Sequence, residues 1–179
     1  DEIKKASRDT GIQPVVIGTF IPDEPNSLNL LSKLEAVVGL VHASCTDRRD
    51  SNKLLYYLDL IDENGMIPGI ASHTPYRTLK WFTEKLSNEA KVKFIMAPLN
   101  YAGLFIDSSL NDIENMYKEL QAKGYYIIAK KVLGAGSLNI EEAIKYIYGK
   151  DYILTAAFGV SSIREAEETF TIASKYLCR

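Results

Sequence analysis

Lys130 and Lys131 interrupt an otherwise apolar run, YYIIAKKVL, from Tyr125 to Leu133. If that run is a β-strand, its period of two turns one lysine toward the interior of the sheet and the other toward whatever covers it. An ammonium in an apolar interior costs free energy unless it is paired or put to use. Such a lysine can neutralise a phosphate or pair a carboxylate. Once burial lowers its pKa, it can also attack a carbonyl as a free amine and form a Schiff base. Both histidines of the chain, His42 and His73, close apolar runs in the same way, as do Thr19, Ser44, Cys45, Ser72, Asn100 and Tyr101. His42, His73, Lys130 and Lys131 are therefore the candidate catalytic groups. The alternative stays open: a satisfied core histidine, a helix-entry histidine, and two lysines whose stems carry their charges out to water.

Two glycine-bearing turns stand beside these groups. Leu133-Gly134-Ala135-Gly136-Ser137 follows the lysine run, and Gly159-Val160-Ser161-Ser162 follows the next apolar run just before a helical pattern. Glycines let backbone amides approach an anion, and a helix N-terminus offers unpaired N–H groups and a positive dipole end. Leu133, Gly134, Gly136, Gly159, Ser161 and Ser162, with Ser72, form the expected cofactor or phosphate site; the plainer reading is tight turns and a helix cap. A metal centre is not expected. The chain has only two histidines, and Asp47, Asp50 and Asp107 are scattered in loops. No G-x-S-x-G nucleophile elbow is present.

Strands alternating with helices must position these residues. Apolar runs at 15–20, 37–44, 66–72, 93–99, 125–133 and 152–158 read as strands. Between them lie helical stripes: Leu28, Leu31 and Leu34; Leu54, Leu58 and Ile61; Leu79, Phe82 and Leu86; Ile113, Met116 and Leu120; Ile144 and Ile147; Ile163, Ala166 and Phe170. Ser51, Thr74 before Pro75, Asn139 with Glu142, and Ser162 with Glu165 are the expected N-caps. A further helix remnant covers residues 1–10. About six β/α units imply a parallel sheet covered by helices, either an open doubly wound sheet or a (β/α) TIM barrel. In both, ligands bind at the carboxyl ends of the strands. A full barrel takes ~250 residues, so the expectation is one barrel domain over 1–179 that lacks its first two β/α units.

Composition narrows the partners. The 179 residues carry 21 Lys and Arg against 23 Asp and Glu, with no basic stripe, so nucleic acid is not an expected partner. No apolar run is long enough to span a bilayer. Two cysteines, Cys45 and Cys178, without CxxC spacing read as reduced cytoplasmic thiols. A small-molecule substrate, with a phosphate-bearing ligand, is the expected partner, and a homo-oligomer is left open.

The succession of these segments resembles the aldo-keto reductase family over roughly residues 37–170. Leu40-Val41-His42 is similar to the family's strand-4 L-I-H, which carries a catalytic histidine, and Gly69-Ile70-Ala71-Ser72-His73 to its strand-5 G-V-S-N. Residues 129–136 resemble the strand-7 pattern A-Y-S-P-L-G-x-G. Gly159 to Thr169 resembles the strand-8 and cofactor-helix pattern G-A-S-S-P-E-Q-L-E-E-N. The resemblance implies a TIM barrel and an NAD(P)-dependent oxidoreductase acting on a small carbonyl compound, with the family's catalytic tyrosine and aspartate outside this chain. It also has departures. The strand-3 lysine is missing from residues 17–20, and the strand-6 glutamine has no match in 96–99. Lys130 replaces the aromatic that stacks on nicotinamide, His73 the amide-binding asparagine, and Glu165 stands where NADP-specific members place a basic residue. Uncharacterised reductase-like barrels with G-x-x-x-H on strand 5 and K-V-L-x-A-G on strand 7 fit Gly69 to His73 and Lys131 to Gly136 more closely. Other readings of the same residues are a Schiff-base lyase or aldolase and a non-catalytic metabolite-binding barrel.

Overall fold

The structure, a computed structural model, describes residues 2–24 and 26–177. Helix α1 spans Glu2–Thr10, and six strands follow, each leading into at least one helix. The strands are β1 (Ile17–Phe20), β2 (Val38–Val41), β3 (Ile67–Ala71), β4 (Phe94–Pro98), β5 (Tyr126–Lys130) and β6 (Thr155–Ala156). The helices after them are α2 (Ser27–Lys33), α3 (Ala43–Thr46), α4 (Ser51–Glu63), α5 (Pro75–Lys85), α6 (Leu110–Ala122), α7 (Ile140–Tyr148) and α8 (Ile163–Leu177).

All pairings are parallel, and the spatial order β1-β2-β3-β4-β5-β6 is the chain order. A doubly wound sheet reverses its order at a switch point. This sheet does not, and it is a curled, six-stranded part of a (β/α) barrel. Two glycines reveal which face carries the helices. A Cβ on Gly18 would lie 2.1 Å from the Leu31 side chain of α2, and one on Gly39 would lie 2.7 Å from Ile61 of α4. Period two then turns Val41, Ile70, Ile95, Ile127 and Ala129 toward the helices. There they pack with Leu58, Ile61, Leu79, Phe82, Ile113 and Tyr117, all essentially inaccessible to water. Each large side chain so buried contributes about 1.5–3 kcal/mol. Leu40, Gly69, Ile128 and Lys130 take the opposite phase and face the concave side.

Several boundaries differ from the sequence expectations. The lysine run leaves the sheet at Lys130, because Lys131 adopts a left-handed backbone with φ 55°. The last apolar run contributes only Thr155 and Ala156 to the ladder. The cap of α4 is Asp50, not Ser51; its carboxylate accepts from the Lys53 N–H at 3.1 Å and suits the positive helix end. Thr74 holds the N-cap position of α5 without a side-chain cap bond. Asp107, from the loop after β4, accepts instead from the N–H groups of Tyr76 (2.7 Å) and Arg77 (3.1 Å). The Asn139 and Ser162 caps are present as expected.

Among the described residues β1 pairs only with β2 and β6 only with β5. Exposed apolar side chains gather at these edges: Ile12, Val15 and Leu30 beside β1, and Leu154, Val160 and Phe170 around β6. No helix among the described residues is long and apolar enough to cross a membrane. Cys45 is a buried free thiol; Cys178 lies outside the described residues.

Candidate functional site

The parallel strands deliver His42, Ser72 and Lys130 to one rim. His42 directly follows β2 and caps α3. Its Nδ1 accepts from the Ser44 N–H at 3.2 Å and lies 2.8 Å from Ser44 Oγ, which puts the ring proton on Nε2. The short α3 ends at Asp47, which reaches across to the end of β3. One carboxylate oxygen of Asp47 accepts from Ser72 Oγ at 2.6 Å and Thr78 Oγ1 at 2.9 Å; the other accepts from the His73 N–H at 2.8 Å. Ser72 is fully buried, and its oxygen also accepts from the Thr74 N–H at 3.1 Å. Its hydroxyl is therefore spent on holding the rim together.

Held in this way, the His73 ring stands edge-on to His42, with centroids 6.2 Å apart, and its Nδ1 lies 3.4 Å from Lys130 Nζ. Burial lowers the His73 pKa, and the charges of Lys130 and Lys131 lower it further against the opposing pull of Asp47. Lys130 is half-buried on the concave side. Burial first and Lys131 second bring its pKa down from 10.5 to about 8, with Asp47 again opposing. At neutral pH the pair is thus a protonated but weakly held ammonium beside a neutral imidazole. The Lys131 ammonium sits 4.7 Å from the centroid of the Phe105 ring.

A cleft of about 930 Å³ opens beside the pair, lined by Lys130, Lys131, Phe105, Phe158 and both glycine turns. Of the residues expected to bind a cofactor or phosphate, Leu133, Gly136, Gly159 and Ser161 line it. Gly134 is buried inside its turn, where the Ser137 hydroxyl donates to its carbonyl at 2.6 Å. Ser162 caps α8 through the Glu165 N–H at 3.2 Å. The Glu165 carboxylate turns back and accepts from the Ser161 N–H (2.8 Å) and hydroxyl (2.9 Å), which lowers its own pKa. A carboxylate of the chain itself thus occupies an amide expected to meet a phosphate.

Other candidates lie apart. Thr19 lines a separate groove beside α2. Asn100 is buried and ties the Leu104 backbone to the carbonyl of Lys131, bracing the lysine turn. Among the described residues no group of three or more His, Cys, Asp or Glu side chains could hold a metal ion. Asp47 is the residue that sequence reasoning missed. Its one signal was indirect: the donors of Ser72-His73-Thr74-Pro75, at a helix start, need a carboxylate from elsewhere.

No family model matches the chain, and no curated protein sequence matches it either. Solved structures do. The holo form of an aldo-keto reductase from Bacillus halodurans aligns with a TM-score of 0.63 at 15% identity, covering 96% of this chain and 70% of that one. A thermostable aldo-keto reductase solved with the inhibitor epalrestat gives 0.57 at 12%, covering 96% and 70%. Dihydrodipicolinate synthase from Thermotoga maritima gives 0.53 at 15%, covering 91% of this chain and 59% of that one. The chain therefore has the fold of these barrel enzymes and spans only part of their length.

Proposed function

We propose that this chain forms the active rim of an aldo-keto-reductase-like barrel that reduces a small carbonyl compound to its alcohol, with Lys130 as the proton donor. The observation that carries the reading is the 3.4 Å contact between His73 Nδ1 and the Nζ of Lys130, which lines the cleft. An ammonium with a pKa near 8 can give its proton to a developing alkoxide, and a neutral imidazole beside it can relay a replacement from water. Lys131 and the open turns at Gly136 and Gly159 would hold the diphosphate of a nicotinamide dinucleotide, which supplies the hydride when bound. Glu165 must release the Ser161 N–H for that amide to join them.

Two further β/α units would close the sheet and cover the apolar side chains at its edges. They would also bring any tyrosine and aspartate that the family resemblance implies. The assay is consumption of NADH or NADPH by the native protein against a panel of small aldehydes and ketones, with Lys130→Met alongside. Turnover lost in the variant supports the reading; no turnover, together with no cofactor-induced rise in melting temperature at millimolar cofactor, overturns it.

One observation favours a second reading. A pKa near 8 leaves about a tenth of Lys130 as free amine at pH 7, enough for Schiff-base chemistry. Borohydride trapping with a carbonyl compound separates the two: a reduced adduct on Lys130 without cofactor consumption supports Schiff-base chemistry over hydride transfer, and an unmodified Lys130 dismisses it.

A further inference from the structure

Asp47 belongs to none of the motifs that mark the rim, yet it touches three of the rim's groups. All three partners of its carboxylate are donors: the Ser72 and Thr78 hydroxyls and the His73 backbone N–H. These donors come from the end of β3, the loop that carries His73, and the first turn of α5. Their convergence on one anion from the end of α3 removes freedom from the loop whose imidazole must meet Lys130. The same anion is the carboxylate that acts electrostatically on both His73 and Lys130. The other charged or titratable groups that act on the pair among the described residues are His42 and Lys131, and Glu165 also lines the cleft. Among the described residues Asp47 alone joins hydrogen bonding at the His73 loop to a negative charge that acts on the lysine.

We propose that Asp47 is the positioning residue of the Lys130–His73 pair, fixing the His73 loop through its three donors and supplying the negative charge that both groups face. The inference rests on Lys130 and His73 being the reacting pair. Its test needs no substrate, so its failure and that of the carbonyl reading are distinguishable.

The experiment is the pH dependence of Lys130 acylation by acetic anhydride, read by peptide mass spectrometry, together with NMR titration of the His73 ring. It is run on wild type, Asp47→Asn and Thr78→Val. Thr78→Val removes one donor of similar size but leaves the charge. In Asp47→Asn both midpoints should fall, so that Lys130 reacts roughly three- to tenfold faster at pH 7; in Thr78→Val both should stay near wild type. Unchanged midpoints in a folded Asp47→Asn protein, or equal shifts in both variants, would overturn the proposal. Should Asp47→Asn not fold, Asp47→Glu keeps the charge on a longer arm. It should leave the Lys130 midpoint in place while the His73 ring signals move; a lowered Lys130 midpoint there also overturns the assignment.

Discussion

Replacing Lys130 by methionine should stabilise the fold at neutral pH while abolishing the proposed chemistry. The unfolded chain holds the lysine proton up to pH 10.5, whereas the native protein releases it near pH 8. Between those values the unfolded state binds more protons, so native stability rises with pH; below pH 8 the whole cost of the buried charge remains. The difference corresponds to at most about 3 kcal/mol. Lys130 sits at a cleft mouth in partial contact with water, which reduces the realistic cost to about 1–2 kcal/mol. Methionine keeps the length of the side chain and removes the charge. Urea unfolding, followed through the fluorescence of the single tryptophan, Trp81, at pH 7 and pH 10, measures the effect. The variant should be about 1–2 kcal/mol more stable at pH 7, with most of that advantage gone by pH 10. A variant no more stable than wild type at pH 7, or an advantage that persists undiminished at pH 10, would refute the reasoning.

Two other substitutions probe the frame and the cleft. A methyl group at Gly69 would lie 2.6 Å from the Phe94 carbonyl oxygen, a backbone atom held in the sheet, whereas one at Gly39 meets the Ile61 side chain at 2.7 Å. Gly69→Ala should therefore cost about 3 kcal/mol and Gly39→Ala about 1–2 kcal/mol in chemical denaturation; the reverse order would contradict the β2–β3–β4 register. Glu165→Gln removes the carboxylate that holds the Ser161 N–H. Isothermal titration should then show pyrophosphate binding roughly three- to tenfold tighter, and unchanged or weaker binding would separate the anion site from that turn.

Much of the frame was legible because apolar period reports burial directly. All six expected strands exist, and the Asn139 and Ser162 caps rest on their own side chains. The (β/α) order was left open between barrel and doubly wound sheet, because nothing local in the sequence encodes which strand lies beside which. The end of β5 was overrun for a different reason. The apolar run continues through Val132 and Leu133, but these follow the end of the strand: Val132 joins the buried core and Leu133 packs against it while lining the cleft. At the site, residue type and position at strand ends brought out His42, His73 and the two lysines. The same logic passed over Asp47 and Asp107, since a carboxylate that caps another segment carries its meaning in the partner's sequence.

The left-handed turn at Lys131 changes what two neighbouring lysines can be. In an unbroken strand they would serve opposite sides of the protein and never meet one ligand. Because the chain veers at that residue, consecutive positions line the same cavity, and two lysines reach it from a single short stretch of sequence. A β-branched residue at 131 would resist that twist and draw the chain straight. Position 131 would then turn away from the cavity, and Lys130 would line it without its neighbour.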